Sequence, residues 1–172
     1  PNEFSRYVEP FVGGGAVFFH LSEQIIAQQI PSVINDINPE LVNCYQMVKT
    51  QTDDLISLLK SHKHDKDYYL EIRNLDRQEG GLSVLSPLER ASRFIYLNRT
   101  GFNGMYRVNS KGLNNVPFGR YKNPSIVNEN VLRASAKALI DTQISNQSFQ
   151  DCLSNAGKGD FVYLDPPYVP LN

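Results

Sequence analysis

The stretch that decides the predicted fold is Tyr7-Val8-Glu9-Pro10-Phe11-Val12-Gly13-Gly14-Gly15, in which a short strand runs into a glycine turn. The apolar residues that follow, 16–26, have the spacing of a largely buried helix. Ser32-Val33-Ile34-Asn35 is predicted to form a second strand that ends at Asp36. A strand, a glycine loop, a helix, a strand and an acidic residue, in this order, open a Rossmann-like α/β unit. We therefore expect an α/β fold on a mostly parallel sheet.

The glycine loop and Asp36 together predict a cofactor site. Glycines let the backbone approach a ligand closely, because no Cβ stands in the way. Asp36 lies 21 residues after Gly15, where a carboxylate can bind both hydroxyls of a ribose. NAD, FAD and S-adenosyl-L-methionine (AdoMet) all fit this arrangement, so it indicates an adenosine-type cofactor without naming it. Three consecutive glycines are not the dinucleotide pattern, which disfavours NAD. The alternative is a tight turn that holds no ligand.

The rest of the chain is predicted to alternate helices with two further strands. Asn38 is expected to cap a helix that begins at Pro39. Further helices are expected from near Thr52, from near Asp65, from the capping box at residues 86–89, and from about 128 to 140. A strand near 143–146 and a short helix capped by Ser148 follow. Residues 100–124 show no periodicity, and a structureless segment of that length is usually functional.

The second chemical motif follows an apolar stretch, residues 159–164, that is predicted to be a buried parallel strand. The motif is Asp165-Pro166-Pro167-Tyr168. Two prolines fix φ and remove two backbone donors, so the turn is rigid and presents its carbonyls outward. An exocyclic amine that attacks a methyl sulfonium needs acceptors for its N–H bonds, which the Asp165 carboxylate and Pro166 carbonyl can supply, while Tyr168 stacks on the base. The alternative is an ordinary turn with a solvent-facing acid.

Charge is distributed unevenly along a chain whose formal net charge is only −1. Residues 90–123 contain seven cationic side chains and no Asp or Glu: Arg90, Arg93, Arg99, Arg107, Lys111, Arg120 and Lys122. Unrelieved like charge costs stability, so this segment predicts a polyanionic partner such as a nucleic acid. Six aromatic residues between Phe94 and Tyr121 are expected to form mostly local core, with Phe102 the exception.

Composition excludes several other classes of protein. No apolar run reaches membrane-spanning length, and a hydrophobic share of 41% is that of a globular chain. Cys44 and Cys152 lie far apart, which predicts free thiols and a cytoplasmic setting. His20 on a helix, with His62 and His64 on the surface, forms no metal-ligand pattern with them, so we expect no metal. We also expect a monomer.

The motifs resemble those of one enzyme family. Residues 9–15 resemble the AdoMet motif, and residues 165–168 the catalytic motif, of amino-methylating DNA methyltransferases. Residues 96–109 and 115–122 look like the DNA-contacting region of the Dam-type (D12 class) adenine-N6 enzymes, and the order of the motifs is that of their α group. The similarity covers nearly the whole chain. A segment of this family is expected to be missing at each end, and Gln147-Ser148 stands where relatives often carry an acidic residue.

The resemblance implies roles for individual residues. The cofactor AdoMet would be bound by Glu9, Pro10, Phe11, Gly13, Gly15, Asp36, Phe149 and Asp165. The catalytic residues would be Asp165, Pro166, Pro167 and Tyr168. Phe102 would wedge into the duplex beside the extruded adenine, and Asn103 would help to fill the vacated space. Arg107 would read a base edge, with Met105, Asn109 and Pro117 as further DNA contacts, while phosphates would be bound by Arg99, Lys111, Arg120 and Lys122.

The predicted organisation is an AdoMet-binding catalytic domain of residues 1–50 and 125–172, with an inserted helical and irregular DNA-recognition subdomain of residues 51–124. The predicted activity is methylation of adenine N6 in double-stranded DNA by base flipping, with GATC as the usual target of such enzymes. Cytosine N4 and RNA adenine stay open as substrates, although cytosine-N4 enzymes more often carry Ser at the position of Asp165. A DNA-binding module without catalysis is the alternative from another class. The gene is expected to be bacterial or phage-borne.

Overall fold

A computed structural model describes residues 3–167, and the strands of that part form a single parallel sheet. The strands are β1 (Arg6–Glu9), β2 (Ser32–Asn35), β3 (Thr142–Ser145) and β4 (Asp160–Val162), in the order β3-β2-β1-β4. Val8 of β1 pairs with Val33 on one side and with Val162 on the other. Because all four strands are parallel, their carboxyl ends meet at one edge. The expectation of an α/β fold with a parallel sheet is confirmed.

Seven α-helices connect and follow these strands within residues 3–167: α1 (Ala16–Ala27), α2 (Pro39–Thr50), α3 (Thr52–Ser61), α4 (Lys66–Asn74), α5 (Pro87–Thr100), α6 (Glu129–Leu139) and α7 (Phe149–Leu153). Short 3-10 turns lie at Leu75–Arg77, Gly81–Val84 and Phe102–Gly104. The predicted caps are present: Asn38 accepts from the Glu40 N–H at 3.0 Å, and Ser86 and Glu89 form the reciprocal capping box. Each cap satisfies backbone N–H groups that have no partner inside the helix.

The sheet has a core on each face. Neighbouring residues of a strand point to opposite faces, so Tyr7 and Ile34 join one cluster while Val8 and Val33 join the other. The first cluster contains Phe18 of α1 and also side chains from the predicted inserted part, Leu55, Leu59 and Ala91. The second cluster is closed by Cys152 of α7. Helices α3 and α5 therefore share the core of the sheet, and the predicted subdomain boundary at residue 51 stays a prediction.

The prediction of a buried strand over residues 159–164 was wrong in length and burial. Strand β4 covers only Asp160–Val162, its residues are half-buried, and Leu164 is 53% exposed. Among the described residues β4 pairs on one side only, with β1, so half of its backbone groups face away from the sheet. Helix α1 is also less buried than expected: only Phe18 and Ile25 are fully buried, because a single face of the helix meets the sheet.

Two predictions about aromatic and histidine side chains need correction. Tyr106 and Tyr121 are 44% and 40% exposed, so Phe102 is not the only exposed aromatic of its segment. His62 and His64 are not on the surface but half-buried, because Tyr96 and Phe118 pack against their rings. Among residues 3–167, no set of three or more His, Cys, Asp or Glu side chains is placed to hold a metal. No helix in the same range combines the length and apolarity needed to cross a bilayer.

Candidate cofactor, catalytic and DNA-contacting sites

One buried amide, that of Asn35, holds together the carboxyl ends of three strands. Its Nδ2 donates to the Pro10 and Gln147 carbonyls, both at 3.0 Å, and its Oδ1 accepts from Ser145 Oγ at 2.8 Å and from Gln147 N–H at 3.0 Å. The residue is 1% exposed, and every bond crosses between segments that are distant in sequence. The amide thus fixes the loop after β1 to the loop after β3. The sequence did not predict this role of Asn35, because an asparagine at the end of a strand does not indicate which distant groups it will bind.

Asp36, the predicted ribose ligand, lies beside the glycine loop. Its Oδ2 accepts from the Gly13 N–H at 3.1 Å, and its Oδ1 accepts from the Asn38 N–H at 2.9 Å. Asn146 donates to the Asp36 carbonyl at 2.7 Å. The carboxylate is therefore held at the mouth of the loop in a fixed orientation, which matches the predicted position at the end of β2.

Glu9 lies beneath the loop rather than at its surface, since it is only 2% exposed. Its Oε2 accepts from the Tyr7 hydroxyl at 2.6 Å. Burial raises the pKa of Glu9, and the nearby Asp165 carboxylate raises that pKa further. Glu9 is therefore a buried residue that hydrogen-bonds to Tyr7, and its predicted contact with a cofactor stays a prediction.

The loop fits an adenosine-type cofactor. A Cβ at Gly13 or Gly14 would meet no other atom within 4 Å, so open space lies over the backbone where a ligand can sit. Phe11 and Phe149 flank this edge of the sheet with ring centroids 5.4 Å apart, and Phe149 is 42% exposed. An acidic acceptor for ribose hydroxyls, a backbone without side chains and exposed aromatic surface are the groups that such a cofactor needs.

The predicted catalytic motif follows β4 at the same edge. The Tyr163 N–H donates to the Val8 carbonyl at 3.0 Å, which keeps the chain against β1 up to the turn. Asp165, Pro166 and Pro167 are exposed, as a carboxylate and carbonyls that meet a substrate must be. The Asp165 carboxylate is close enough to Glu9 to contribute to the raised pKa of Glu9. Tyr168, predicted to stack on the base, lies outside the described residues.

Apart from Arg99, which lies on α5, the predicted DNA-contacting residues lie on an exposed tongue, which we define as residues 101–124. Two antiparallel bridges close it, Gly101 with Phe118 and Val108 with Asn114. At its tip Asn109 Oδ1 accepts from the Lys111 and Leu113 N–H groups at 2.9 and 3.1 Å, forming an Asx-type turn. The segment is therefore irregular, as predicted, and specific hydrogen bonds fix its conformation.

The side chains predicted to enter the duplex are presented outward from this tongue. Phe102 is 48% exposed and Met105 38% exposed, and Pro117 is exposed beside them. Asn103 has a left-handed backbone with φ of 53°, a conformation that is uncommon for residues other than glycine but that Asn adopts more readily than most. The Arg107 guanidinium is held by Asn115, through Oδ1 at 2.7 Å and the backbone carbonyl at 3.2 Å.

The seven cations of residues 90–123 do not all face a partner, which corrects the charge argument. Arg90 pairs with Glu40, and Arg93 pairs with the buried Asp76 at 3.0 Å. Both acids lie outside the cationic segment in sequence, so local counting could not detect them. Five exposed cations remain without an ion pair among residues 3–167: Arg99, Arg107, Lys111, Arg120 and Lys122. They are the five that were predicted to contact DNA.

A parallel α/β sheet, with a glycine loop, an acid bonded to that loop and an Asp-Pro-Pro turn at its carboxyl edge, is the arrangement expected of amino-methylating enzymes that use an adenosyl cofactor. A family model described as D12 class N6 adenine-specific DNA methyltransferase matches residues 1–172. The chain belongs to this family, whose members are AdoMet-dependent methyltransferases.

Named relatives agree with this assignment. The chain is 45% identical to the type II methyltransferase M1.LlaDCHI of Lactococcus lactis subsp. cremoris, across 100% of the chain and 60% of that protein. It is 40% identical to the type II methyltransferase M.MjaIII of Methanocaldococcus jannaschii, across 97% of the chain and 60% of the relative. It is 36% identical to the DNA adenine methylase of Escherichia coli K12, with 96% and 56% covered. The chain thus spans about three fifths of the length of these relatives.

Proposed function

We propose that the protein transfers a methyl group from AdoMet to adenine N6 in double-stranded DNA, with the adenine extruded from the helix. The observation that carries the proposal is that the glycine loop with Asp36 and the Asp165-Pro166-Pro167 turn lie at the same edge of the sheet. Arg99 of α5 and the four cations of the tongue are exposed and have no ion pair among residues 3–167. Family membership supports the reaction class.

The predicted cofactor-binding and catalytic residues each have a defined role in this reaction. When bound, AdoMet supplies an activated methyl group. The Asp165 carboxylate and the Pro166 carbonyl accept hydrogen bonds from the two N–H groups of the adenine amine. These bonds favour rehybridisation of the nitrogen, which makes its lone pair available to attack the methyl group. Asp36 binds the ribose hydroxyls, and Tyr168 stacks on the base. Glu9, Pro10, Phe11, Gly13, Gly15 and Phe149 form the remaining cofactor surface.

The tongue supplies DNA recognition. Because N6 cannot be reached inside a stacked duplex, the base must leave the stack, and the exposed Phe102 and Asn103 lie on a turn whose side chains can occupy the gap. Arg107 reads a base edge, for which a bidentate guanine contact is the commonest solution. Met105, Asn109 and Pro117 complete the base-facing surface, and phosphates are held by Arg99, Lys111, Arg120 and Lys122. The similarity of residues 96–109 to the Dam-type region supports GATC as the target.

The decisive experiment measures label transfer from radioactive AdoMet to duplexes with and without GATC, using the full-length protein. We expect label in GATC adenine only. We expect Asp165→Ala to lower the rate by at least about a hundredfold, since it removes an acceptor that acts in the transition state. The matched control, Asp141→Ala, removes an exposed carboxylate away from the motif and should methylate normally.

Other outcomes separate the alternatives. Label at sites other than GATC would retain the enzyme and discard this target. Unchanged methylation by Asp165→Ala would contradict the catalytic assignment. AdoMet binding without any label transfer would favour a DNA-binding protein that has lost catalysis.

A further inference from the structure

The backbone of Asn114, on the return side of the tongue, is held at both of its polar groups by a pair of neighbouring side chains. The Asn114 N–H donates to Asp76 Oδ2 at 2.8 Å, and the Asn114 carbonyl accepts from Arg77 Nη2. Asp76 and Arg77 also pair with each other. Side chains of the Leu75–Arg77 turn therefore bind this segment as a neighbouring strand would, with one donor and one acceptor.

The next turn of the backbone is held in the same manner two residues later. The Val116 carbonyl accepts from the Tyr69 hydroxyl at 3.0 Å and from Arg73 Nη1 at 3.1 Å, and the Val116 N–H donates to Asn114 Oδ1 at 3.1 Å. Asn114 and Val116 are 6% and 1% exposed. The segment 114–116 is thus fixed at both ends onto α4 and the turn that follows it.

Asn115 lies between these two fixed residues and binds the Arg107 guanidinium. Asn115 accepts from Arg107 through both its side chain and its carbonyl, and its N–H donates to the Arg107 carbonyl at 3.1 Å. Any shift of residues 114–116 along α4 therefore displaces the guanidinium by a similar distance. A bidentate base contact tolerates little displacement, because two hydrogen bonds must align at once.

Asp76 is a buried carboxylate that is ion-paired with two arginines. Its side chain is 7% exposed, and it pairs with Arg77 and with Arg93, whose side chain is 9% exposed. Arg93 also donates to the Ile72 and Arg73 carbonyls in the last turn of α4, at 2.9 and 2.6 Å. A buried carboxylate with this many donors keeps a single orientation.

We propose that Asp76 and Arg77 are positioning residues for base recognition, which set the Arg107 guanidinium through segment 114–116. The proposal rests on the proposed function, in which Arg107 reads a base. It makes discrimination between DNA sites depend on two residues that do not touch DNA, while AdoMet affinity does not depend on them.

The test compares kcat/KM on the target duplex with kcat/KM on duplexes that carry one altered base pair. Arg77→Met removes the donor to the Asn114 carbonyl and leaves the Asp76–Arg93 pair intact. We expect the discrimination ratio to fall about tenfold at one base position, as expected for Arg107→Ala. AdoMet affinity and far-ultraviolet circular dichroism should stay unchanged. Arg133→Met, which removes an exposed, ion-paired arginine of α6, is the matched control and should keep full discrimination.

A double variant distinguishes positioning from a general loss of structure. If Arg77 acts through Arg107, then Arg77→Met combined with Arg107→Ala should discriminate no worse than Arg107→Ala alone. Asp76→Asn is the second variant, and we expect it to lose discrimination at the same base position.

The possible outcomes distinguish a failure of the positioning role from a failure of the proposed methyltransferase function. Full discrimination by Arg77→Met and Asp76→Asn, with discrimination lost in Arg107→Ala, would overturn the positioning role and leave the enzyme assignment standing. Additive losses in the double variant would also overturn it. Absence of methyl transfer by the wild-type protein would instead overturn the proposed function, and the inference with it.

Discussion

At the scale of single residues, Gly15 closes the glycine loop where no side chain fits. Its φ is +69°, and an added Cβ would lie 2.8 Å from Tyr45 Oη and 2.9 Å from a ring carbon of Phe19. Tyr45 itself donates to the Gly13 carbonyl at 2.9 Å, so it cannot move away without releasing the loop. Gly14 has neither constraint. Adjacent glycines thus serve different purposes.

We therefore predict that Gly15→Ala lowers the free energy of unfolding by about 2–4 kcal/mol, the sum of left-handed strain and overpacking. Gly14→Ala is the matched control, and its cost should stay below about 1 kcal/mol because its Cβ meets open space. Urea unfolding without ligand measures both. Equal stability of the two variants would show that the packing around Gly15 adapts.

Residue roles were predictable where they depend on local geometry. Asp36 and the glycine turn follow from their place after strands, and the structure has them there. Asn35 was only the last residue of a strand in the sequence, because its partners lie 25 and 112 residues away. Glu9 was predicted to bind the cofactor, and this stays a prediction; its burial and its bond to Tyr7 were not foreseen, because the sequence does not show which strand residues face the core.

At the scale of elements, α4 and α5 meet around a half-buried imidazole. The His62 ring stacks on Tyr96 with centroids 4.4 Å apart, and its nitrogens lie 2.8 Å from Tyr68 Oη and 2.9 Å from Ser92 Oγ. Burial lowers the pKa of His62 to about 4. The helix pair therefore contains a neutral histidine that solvent would protonate more readily in the unfolded chain.

This predicts an acid sensitivity located at these helices. An unfolded histidine has a pKa of about 6.5, so between that pH and about 4 the unfolded chain binds a proton that the fold does not. The contribution of His62 is complete above pH about 6.5 and is lost as the pH falls to about 4. Urea unfolding at pH 7 and pH 5 should show a smaller loss of stability on acidification for His62→Gln than for the wild type. The exposed His20→Gln serves as control, and an unaltered loss in His62→Gln would contradict the assignment.

Helices and strands were predicted well where the sequence has a local marker, such as a capping residue, and poorly where distant residues decide the structure. The helices after Asn38, Ser86 and Ser148 begin where their caps predicted. The tongue was predicted as a loop only, because its order comes from side chains of α4, such as Tyr69 and Arg73, that bind its backbone across 43 or more residues. Strand β4 was predicted too long, since an apolar sequence does not reveal on how many sides a strand is paired.

At the scale of the whole molecule, the fold divides its cations into two groups. Arg90 and Arg93 are neutralised by acids of other segments, whereas Arg99, Lys111 and Arg120 face solvent. The charge pattern of the sequence overstated the number of cations available to a polyanionic partner. Only the folded chain shows which acids meet which bases.

The salt dependence of DNA binding should reveal this division. Each phosphate contact contributes about 0.9 to the slope of log K against log salt on duplex DNA. We predict that Arg120→Ala reduces the slope by about that amount, whereas Arg90→Ala leaves it unchanged because Glu40 already neutralises the guanidinium. Titration of a labelled non-specific duplex at several salt concentrations measures both. Equal reductions would mean that the Glu40 pair opens when DNA binds.

The two cysteines lie on opposite faces of the sheet, and both are buried, at 9% and 4% exposure for Cys44 and Cys152. Burial raises the pKa of each thiol, that of Cys44 to about 12, so neither reacts while the structure around it is closed. A thiol reagent can therefore reach Cys44 only when α2 separates from its core, and Cys152 only when α7 does. The protein thus carries two separate, naturally placed reporters of local unfolding, one for each side of its sheet.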